Sequence, residues 1–154
     1  MFSAGSTAIV LKFDMRTRPG ADKPMTPLEQ TALLRSELAK LTGAGRLVLL
    51  AAPPPDKSIE SCYTKTSRPT ECVGGVTREW LTVADSEQAL AAEFKGDFVN
   101  SRDWFCYQDQ CPSFVGSTLT KRDKVHMTKE YAERIGPVVL EQLKLQKILR
   151  PEKD

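Results

Sequence analysis

The stretch Thr-Ala-Ile-Val-Leu-Lys-Phe, residues 7–13, is a nearly continuous apolar run rich in β-branched side chains. Such a run predicts a strand that is buried on both faces, as strands of parallel sheets are. Residues 46–52, Arg-Leu-Val-Leu-Leu-Ala-Ala, form a second run of this kind, which Pro53-Pro54-Pro55 ends. Strand, helix and strand in this order predict a right-handed βαβ unit and an α/β fold.

The helix between the two runs has a well-marked start. Thr26 is placed as the N-cap, Pro27 as the first helical residue, and Glu29 completes a capping box. One face carries the leucines that we expect in the core: Leu34, Leu38 and Leu41. Gly43 and Gly45 are expected to end the element.

A second helix is predicted after Thr77, because apolar residues recur there at helical spacing: Trp80, Val83, Leu90 and Phe94. Trp80 is interpreted as a packing residue. Gly96 follows this helix, and residues 97–100 are expected to form a short third strand.

A last helix is predicted from an N-cap at Thr128. Its apolar positions are Tyr131, Ile135, Val138 and Val139. Gly136-Pro137 are expected to kink or divide it.

Length and composition predict one domain over residues 1–154, with frayed ends at 1–6 and 150–154. The 22 Lys and Arg residues nearly balance the 20 Asp and Glu residues, so a nucleic-acid partner is not indicated. No apolar run is long enough to cross a membrane, and the first residues lack the pattern of a secretory signal. No cofactor and no metal-binding motif are predicted.

The four cysteines form two local pairs, Cys62 with Cys72 and Cys106 with Cys111. Such pairs favour two disulfides, which belong to an oxidising compartment. The alternatives are free thiols and zinc, although the spacing from Cys62 to Cys72 is too wide for a zinc knuckle. Oxidised cysteines without an export signal conflict, and this conflict predicts an incomplete chain.

Candidate catalytic residues lie just before the last helix. His126 is the only histidine, and Asp123 precedes it by three residues. On a turn, this spacing lets the carboxylate accept a hydrogen bond from one imidazole nitrogen, which leaves the other nitrogen free as a base. The alternative is an ordinary surface histidine with an acidic neighbour.

The ordered features together resemble the SGNH/GDSL hydrolase-like family: a buried strand through Ala51-Ala52-Pro53, the two cysteine pairs, and Asp123-x-x-His126 before a helix. They resemble most the SGNH domains fused to bacterial integral-membrane O-acyltransferases that modify cell-envelope glycans. The resemblance implies a flavodoxin-like three-layer α/β/α sandwich that works outside the cytoplasmic membrane. It also implies acyl transfer by a Ser-His-Asp triad, with Asp123 as the orienting acid and His126 as the general base.

The sequence departs from the family at the nucleophile. No Gly-Asp-Ser block occurs, and Ser6 in Ala4-Gly5-Ser6 precedes a strand instead of following one. We therefore expect an SGNH-like domain that is N-terminally truncated and lacks its first strand or strands. Such a chain would expose a strand edge, and we expect it to be marginally stable, to aggregate or to self-associate.

Two functions follow from these expectations. The first is O-acyl transfer or ester hydrolysis on an envelope polysaccharide or acyl-sugar substrate, with a fused or partner membrane acyltransferase domain. The alternative is a non-catalytic glycan-binding or interaction remnant of the same domain.

Overall fold

The computed structural model describes residues 7–11, 23–41, 46–124 and 126–149. In chain order the elements are β1 (Thr7–Leu11), α1 (Pro27–Leu38), β2 (Arg46–Leu50), α2 (Ile59–Cys62), a 3-10 turn (Pro69–Glu71), β3 (Val73–Gly75), α3 (Arg78–Glu93), β4 (Asp97–Val99), α4 (Arg102–Phe105), β5 (Gln110–Pro112), β6 (Phe114–Val115), β7 (Thr118–Leu119) and α5 (Lys129–Leu145). The chain divides into two compact units. The first comprises Met1–Ala52 and Arg78–Ser101, and the second comprises Pro53–Thr77 and Arg102–Asp154.

The first unit contains a parallel sheet with the strand order β1-β2-β4. Ile9 is in register with Val48, and Leu49 is in register with Phe98. Because parallel neighbours need a crossover connection, α1 and α3 link these strands. The predicted α/β class with a parallel sheet is confirmed.

The core of the first unit lies between β2 and the helices α1 and α3. Leu47 and Leu49 point to the same face of β2, since side chains alternate along a strand. They pack with buried residues of the helices: Leu34, Leu38, Leu90 and Ala91. The predicted leucine face of α1 is therefore a core face.

Local sequence signals explain where α1 begins. The Thr26 side chain accepts a hydrogen bond from the backbone N–H of Glu29, and the Glu29 carboxylate accepts one from the backbone N–H of Thr26 at 2.8 Å. Pro27 opens the helix. The predicted capping box is thus present in the structure.

The C-terminal end of α3 depends on two adjacent residues. The Lys95 N–H donates to Ala92 O, and the Gly96 N–H donates to Ala91 O, which is the Schellman pattern. Lys95 occupies the left-handed region with φ 54°. A Cβ at Gly96 would lie 2.7 Å from Leu47 O, so only glycine fits where α3 returns to β2.

Trp80 holds the residues that follow β2. Its indole Nε1–H donates to Ala52 O at 2.9 Å, and the Ser101 hydroxyl donates to the same oxygen at 3.0 Å. Trp80 is buried, with 8% of its surface exposed. Its packing role is as expected from the sequence.

Apart from α5, the second unit is built from short elements. β3 pairs antiparallel with β5, and β6 pairs antiparallel with β7. Disulfides join Cys62 to Cys72 and Cys106 to Cys111, with Cα–Cα distances of 5.4 Å and 4.1 Å. These cross-links fix loops that have little regular secondary structure of their own.

The last helix, α5, begins after Thr128, whose side chain accepts a hydrogen bond from the Tyr131 N–H. Of the two expected effects of Gly136-Pro137, a kink or a division, the division is wrong, because α5 runs unbroken through Pro137. Pro137 cannot bond the Glu133 carbonyl, but both residues are exposed, so water can solvate that oxygen. Val138, expected on the apolar face, is 56% exposed.

Several expectations fall outside the described residues. These are the strand positions Lys12 and Phe13, the helix-ending Gly43 and Gly45, Ser6, and the termini 1–6 and 150–154. Among the described residues, every helix is too short or too polar to cross a membrane.

Candidate active site

The candidate site is a closed loop between β7 and α5. Lys121 and Met127 form an antiparallel bridge, and the Thr128 N–H donates to Thr120 O at 3.0 Å. Nearer the tip, the Arg122 N–H donates to His126 O at 2.9 Å. These bonds hold the ends of the loop together and leave Asp123 and His126 at its tip.

The two predicted catalytic residues are in contact. The Asp123 Oδ2 atom lies 2.7 Å from the His126 Nδ1 atom, and Asp123 Oδ1 accepts the His126 backbone N–H at 2.8 Å. An ionised carboxylate can only accept, so in a neutral imidazole Nδ1 carries the proton and Nε2 has the lone pair. Using both oxygens, Asp123 fixes the tautomer and the orientation of the ring.

The free edge of the imidazole faces outward. The His126 side chain is 58% exposed and that of Asp123 is 47% exposed. None of the described residues bonds Nε2. The pair can therefore accept a proton from a hydroxyl group brought to it, which is the role of a general base.

Beneath the loop lies a buried charged pair that the sequence did not reveal. The Lys121 ammonium donates to Asp56 Oδ1 at 2.6 Å, and the two side chains are 0% and 1% exposed. The Thr120 hydroxyl donates to Asp56 Oδ2 at 3.0 Å. Nothing in the sequence distinguishes the buried Lys121 from the exposed Lys124. Asp56 lies 65 residues from Lys121, so no local pattern of residues indicates the pair.

Burial governs the electrostatics of this pair. Desolvation raises the pKa of Asp56 and lowers the pKa of Lys121, and the attraction between the two charges opposes both shifts. The Lys121 ammonium also lies 4.6 Å from the centre of the Phe105 ring. Phe105 packs on Tyr131 at 5.5 Å between ring centres, and burial raises the pKa of that tyrosine.

The first disulfide is connected to the same loop through the backbone. The Ser113 N–H donates to Cys72 O, and the Thr120 N–H donates to Ser113 O. Two hydrogen bonds thus separate the Cys62–Cys72 cross-link from the first residue of the loop. Within the described ranges, no cluster of three or more His, Cys, Asp or Glu residues could hold a metal ion.

A comparison with protein families gives a match over most of the chain. The sequence model of the family described as "SGNH domain (fused to AT3 domains)" matches residues 6–141. The chain belongs to this SGNH domain family. No curated protein matches it in sequence.

Three solved structures share the fold. Est24, a carbohydrate acetylesterase from Sinorhizobium meliloti, is 16% identical with a TM-score of 0.56, over 92% of this chain and 61% of that one. The periplasmic domain of the lipopolysaccharide acetyltransferase of Salmonella ser. Paratyphi A is 13% identical with a TM-score of 0.58, over 88% and 57%. The native aryl esterase of M. smegmatis is 14% identical with a TM-score of 0.50, over 90% and 60%.

At these identities the likeness shows the fold alone. The chain spans 57–61% of the length of these three structures.

Proposed function

We propose that this chain supplies the acid and the base of a Ser-His-Asp triad that transfers or hydrolyses O-linked acyl groups on cell-envelope glycans. The observation that carries the proposal is the contact of 2.7 Å between Asp123 Oδ2 and His126 Nδ1, on a loop tip with the imidazole open to a partner. Membership in the SGNH family supports acyl chemistry. The carbohydrate acetylesterase and the lipopolysaccharide acetyltransferase of the same fold support a sugar substrate.

In the proposed reaction, His126 Nε2 removes the proton from a serine hydroxyl as its oxygen attacks the acyl carbonyl carbon. The imidazolium then returns that proton to the departing sugar oxygen, which leaves an acyl-serine. Water or a second sugar hydroxyl attacks the acyl-serine by the same proton path. Asp123 holds the ring and stabilises its positive charge at each stage.

The serine is not part of a recognisable block in this chain, because no Gly-Asp-Ser occurs in it. The proposal therefore assigns the nucleophile and the oxyanion donors to residues outside these 154. An extracytoplasmic site of action and a fused or partner membrane acyltransferase domain belong to the same proposal. The family description, with its fusion to AT3 domains, and the periplasmic neighbour support both.

The test begins with the reading frame upstream of Met1. A strand ending in Gly-Asp-Ser is expected there, and the longer chain that contains it should hydrolyse an aryl acetate. In that chain, His126→Ala should lower kcat by about 10³-fold or more, and Asp123→Asn by roughly 10²- to 10⁴-fold. Retained turnover in His126→Ala would overturn the proposal.

Lys124→Ala is the matched control, because its exposed side chain lies on the same loop. It should change kcat by less than about twofold, as substitutions on an open surface do. A loss equal to that of His126→Ala would mean that the loop as a whole, and not the imidazole, is needed.

The absence of a Gly-Asp-Ser block favours one second candidate, a glycan-binding remnant without catalysis. This candidate predicts that an in-frame stop lies upstream and that the chain binds acetylated polysaccharide. His126→Ala would leave that binding unchanged.

A further inference from the structure

The segment that carries the candidate catalytic pair is hydrogen-bonded on both sides of Asp123 to one buried residue, Asp56. Asp56 accepts hydrogen bonds from Thr120 and Lys121, which precede Asp123. The Asp56 N–H donates to Lys124 O at 2.9 Å, on the other side of Asp123. Asp56 therefore bonds the side chains of two residues that precede Asp123 and the backbone of the residue directly after it.

Burial of this pair is not explained by stability alone. Both side chains are at most 1% exposed, and the removal of two charges from water is strongly unfavourable. Apolar residues of similar size at such positions are often neutral or stabilising. What an ion pair adds, and an apolar pair does not, is a fixed geometry between two chain segments that lie 65 residues apart.

Other hydrogen bonds also hold the loop, and one of them lies near its tip, where the Arg122 N–H donates to His126 O at 2.9 Å. Thr128 donates through its backbone to Thr120 and through its hydroxyl to Leu119 O, and both acceptors lie at the start of the loop. These bonds close the loop within its own segment, whereas the bonds of Asp56 join it to a segment that lies distant in the chain. Bonds to Asp56 reach the residues on both sides of Asp123.

We propose that Asp56 and Lys121 are positioning residues, which hold the backbone at Asp123 so that its carboxylate meets His126 Nδ1. The catalytic role of these residues rests on the proposed function. The coupling between the buried pair and the contact of Asp123 with His126 is a property of this chain alone. A misplacement of about 1 Å at a catalytic group can lower a rate about 10²-fold, so such restraint has a direct use.

The test uses the tautomer of the single histidine. Nitrogen-15 NMR of the neutral imidazole distinguishes a ring protonated on Nδ1 from one protonated on Nε2, and one histidine gives one set of signals. The wild-type chain should show Nδ1 as the protonated nitrogen, because it faces the Asp123 carboxylate.

The decisive variant is Asp56→Leu with Lys121→Met. It removes the side-chain hydrogen bonds, leaves the backbone bond from residue 56 to Lys124 O, and keeps apolar volume in the same place, so a purely space-filling role would survive. We expect the protein to stay folded, and the Nδ1 and Nε2 signals to move toward the average of two exchanging tautomers. A folded double variant with the wild-type signals would overturn the inference.

Thr120→Val gives the same information with a smaller change. It removes one hydroxyl donor to Asp56 and keeps the side-chain shape. A partial shift of the histidine signals is expected, and unchanged signals in this variant would also count against the coupling. The matched control is Arg46→Met with Asp97→Asn, which removes an ion pair of 2.6 Å in the first unit and should leave the tautomer unchanged.

Failure of this test and failure of the proposed function are distinguishable. A changed tautomer without esterase activity in the longer chain would keep the coupling and reject the triad. Esterase activity in the longer chain, together with an unchanged tautomer in the double variant, would keep the triad and reject the coupling.

Discussion

Removal of one partner of the buried pair should destabilise the protein strongly. In Lys121→Met, the Asp56 carboxylate stays in a place where 1% of its side chain is exposed, without its cation. Breaking a buried pair in this way costs about 3–5 kcal/mol, because an uncompensated charge is left behind. The Thr120 hydroxyl remains as a donor to Asp56, so we expect the lower part of this range.

Urea unfolding measures this loss. With a slope of about 2 kcal/mol per molar urea, a loss of about 3–4 kcal/mol lowers the midpoint by roughly 1.5–2 M. The double variant Asp56→Leu with Lys121→Met should recover most of the loss, since no charge is then buried. Thr120 keeps acceptors in this variant, because its hydroxyl also reaches Ser113 O at 3.2 Å.

The loss of stability in Lys121→Met should depend on pH in a definite direction. Burial raises the pKa of Asp56 in the folded protein, and loss of Lys121 removes the attraction that opposes this rise. The folded state then binds a proton more readily than the unfolded state does. The loss of stability is therefore largest above the pKa that Asp56 has in the folded variant. It decreases as the pH falls through that pKa toward the pKa of Asp56 in the unfolded state.

Two results would refute this reasoning. A midpoint for Lys121→Met within about 0.5 M of wild type at neutral pH would mean that Asp56 is solvated. A deficit in Lys121→Met that grows on acidification would contradict the raised pKa.

Two further predictions concern the first unit. Gly96→Ala should destabilise it by about 1–3 kcal/mol, because the new Cβ would lie 2.7 Å from Leu47 O; an unchanged urea midpoint would show that α3 and β2 separate easily. Lys95→Gly should stabilise it by about 0.5–1 kcal/mol, because Lys95 holds φ 54° at the helix C′ position; a lower melting temperature in calorimetry would show that its side chain contributes more than the strain costs.

Local elements of the fold were predictable because their signals lie within a few residues. The capping box at Thr26 and Glu29 and the N-cap at Thr128 each depend on side chains three positions from the N–H they bond. The contact between Asp123 and His126 has the same spacing, so the sequence alone indicated it. The expected division of α5 at Pro137 did not occur, because the hydrogen bond that proline cannot make is tolerated on an exposed stretch of helix.

By itself the sequence determined the parallel α/β class, because apolar strands and a capped helix alternate in it. It also indicated the contact between Asp123 and His126, because that pair is local. Only the tertiary structure decided what lies beneath the pair. Asp56 and Lys121 are 65 residues apart, and each resembles an ordinary surface charge until folding removes water from both. Burial depends on the packing of segments distant in the chain, and no short pattern of residues encodes it.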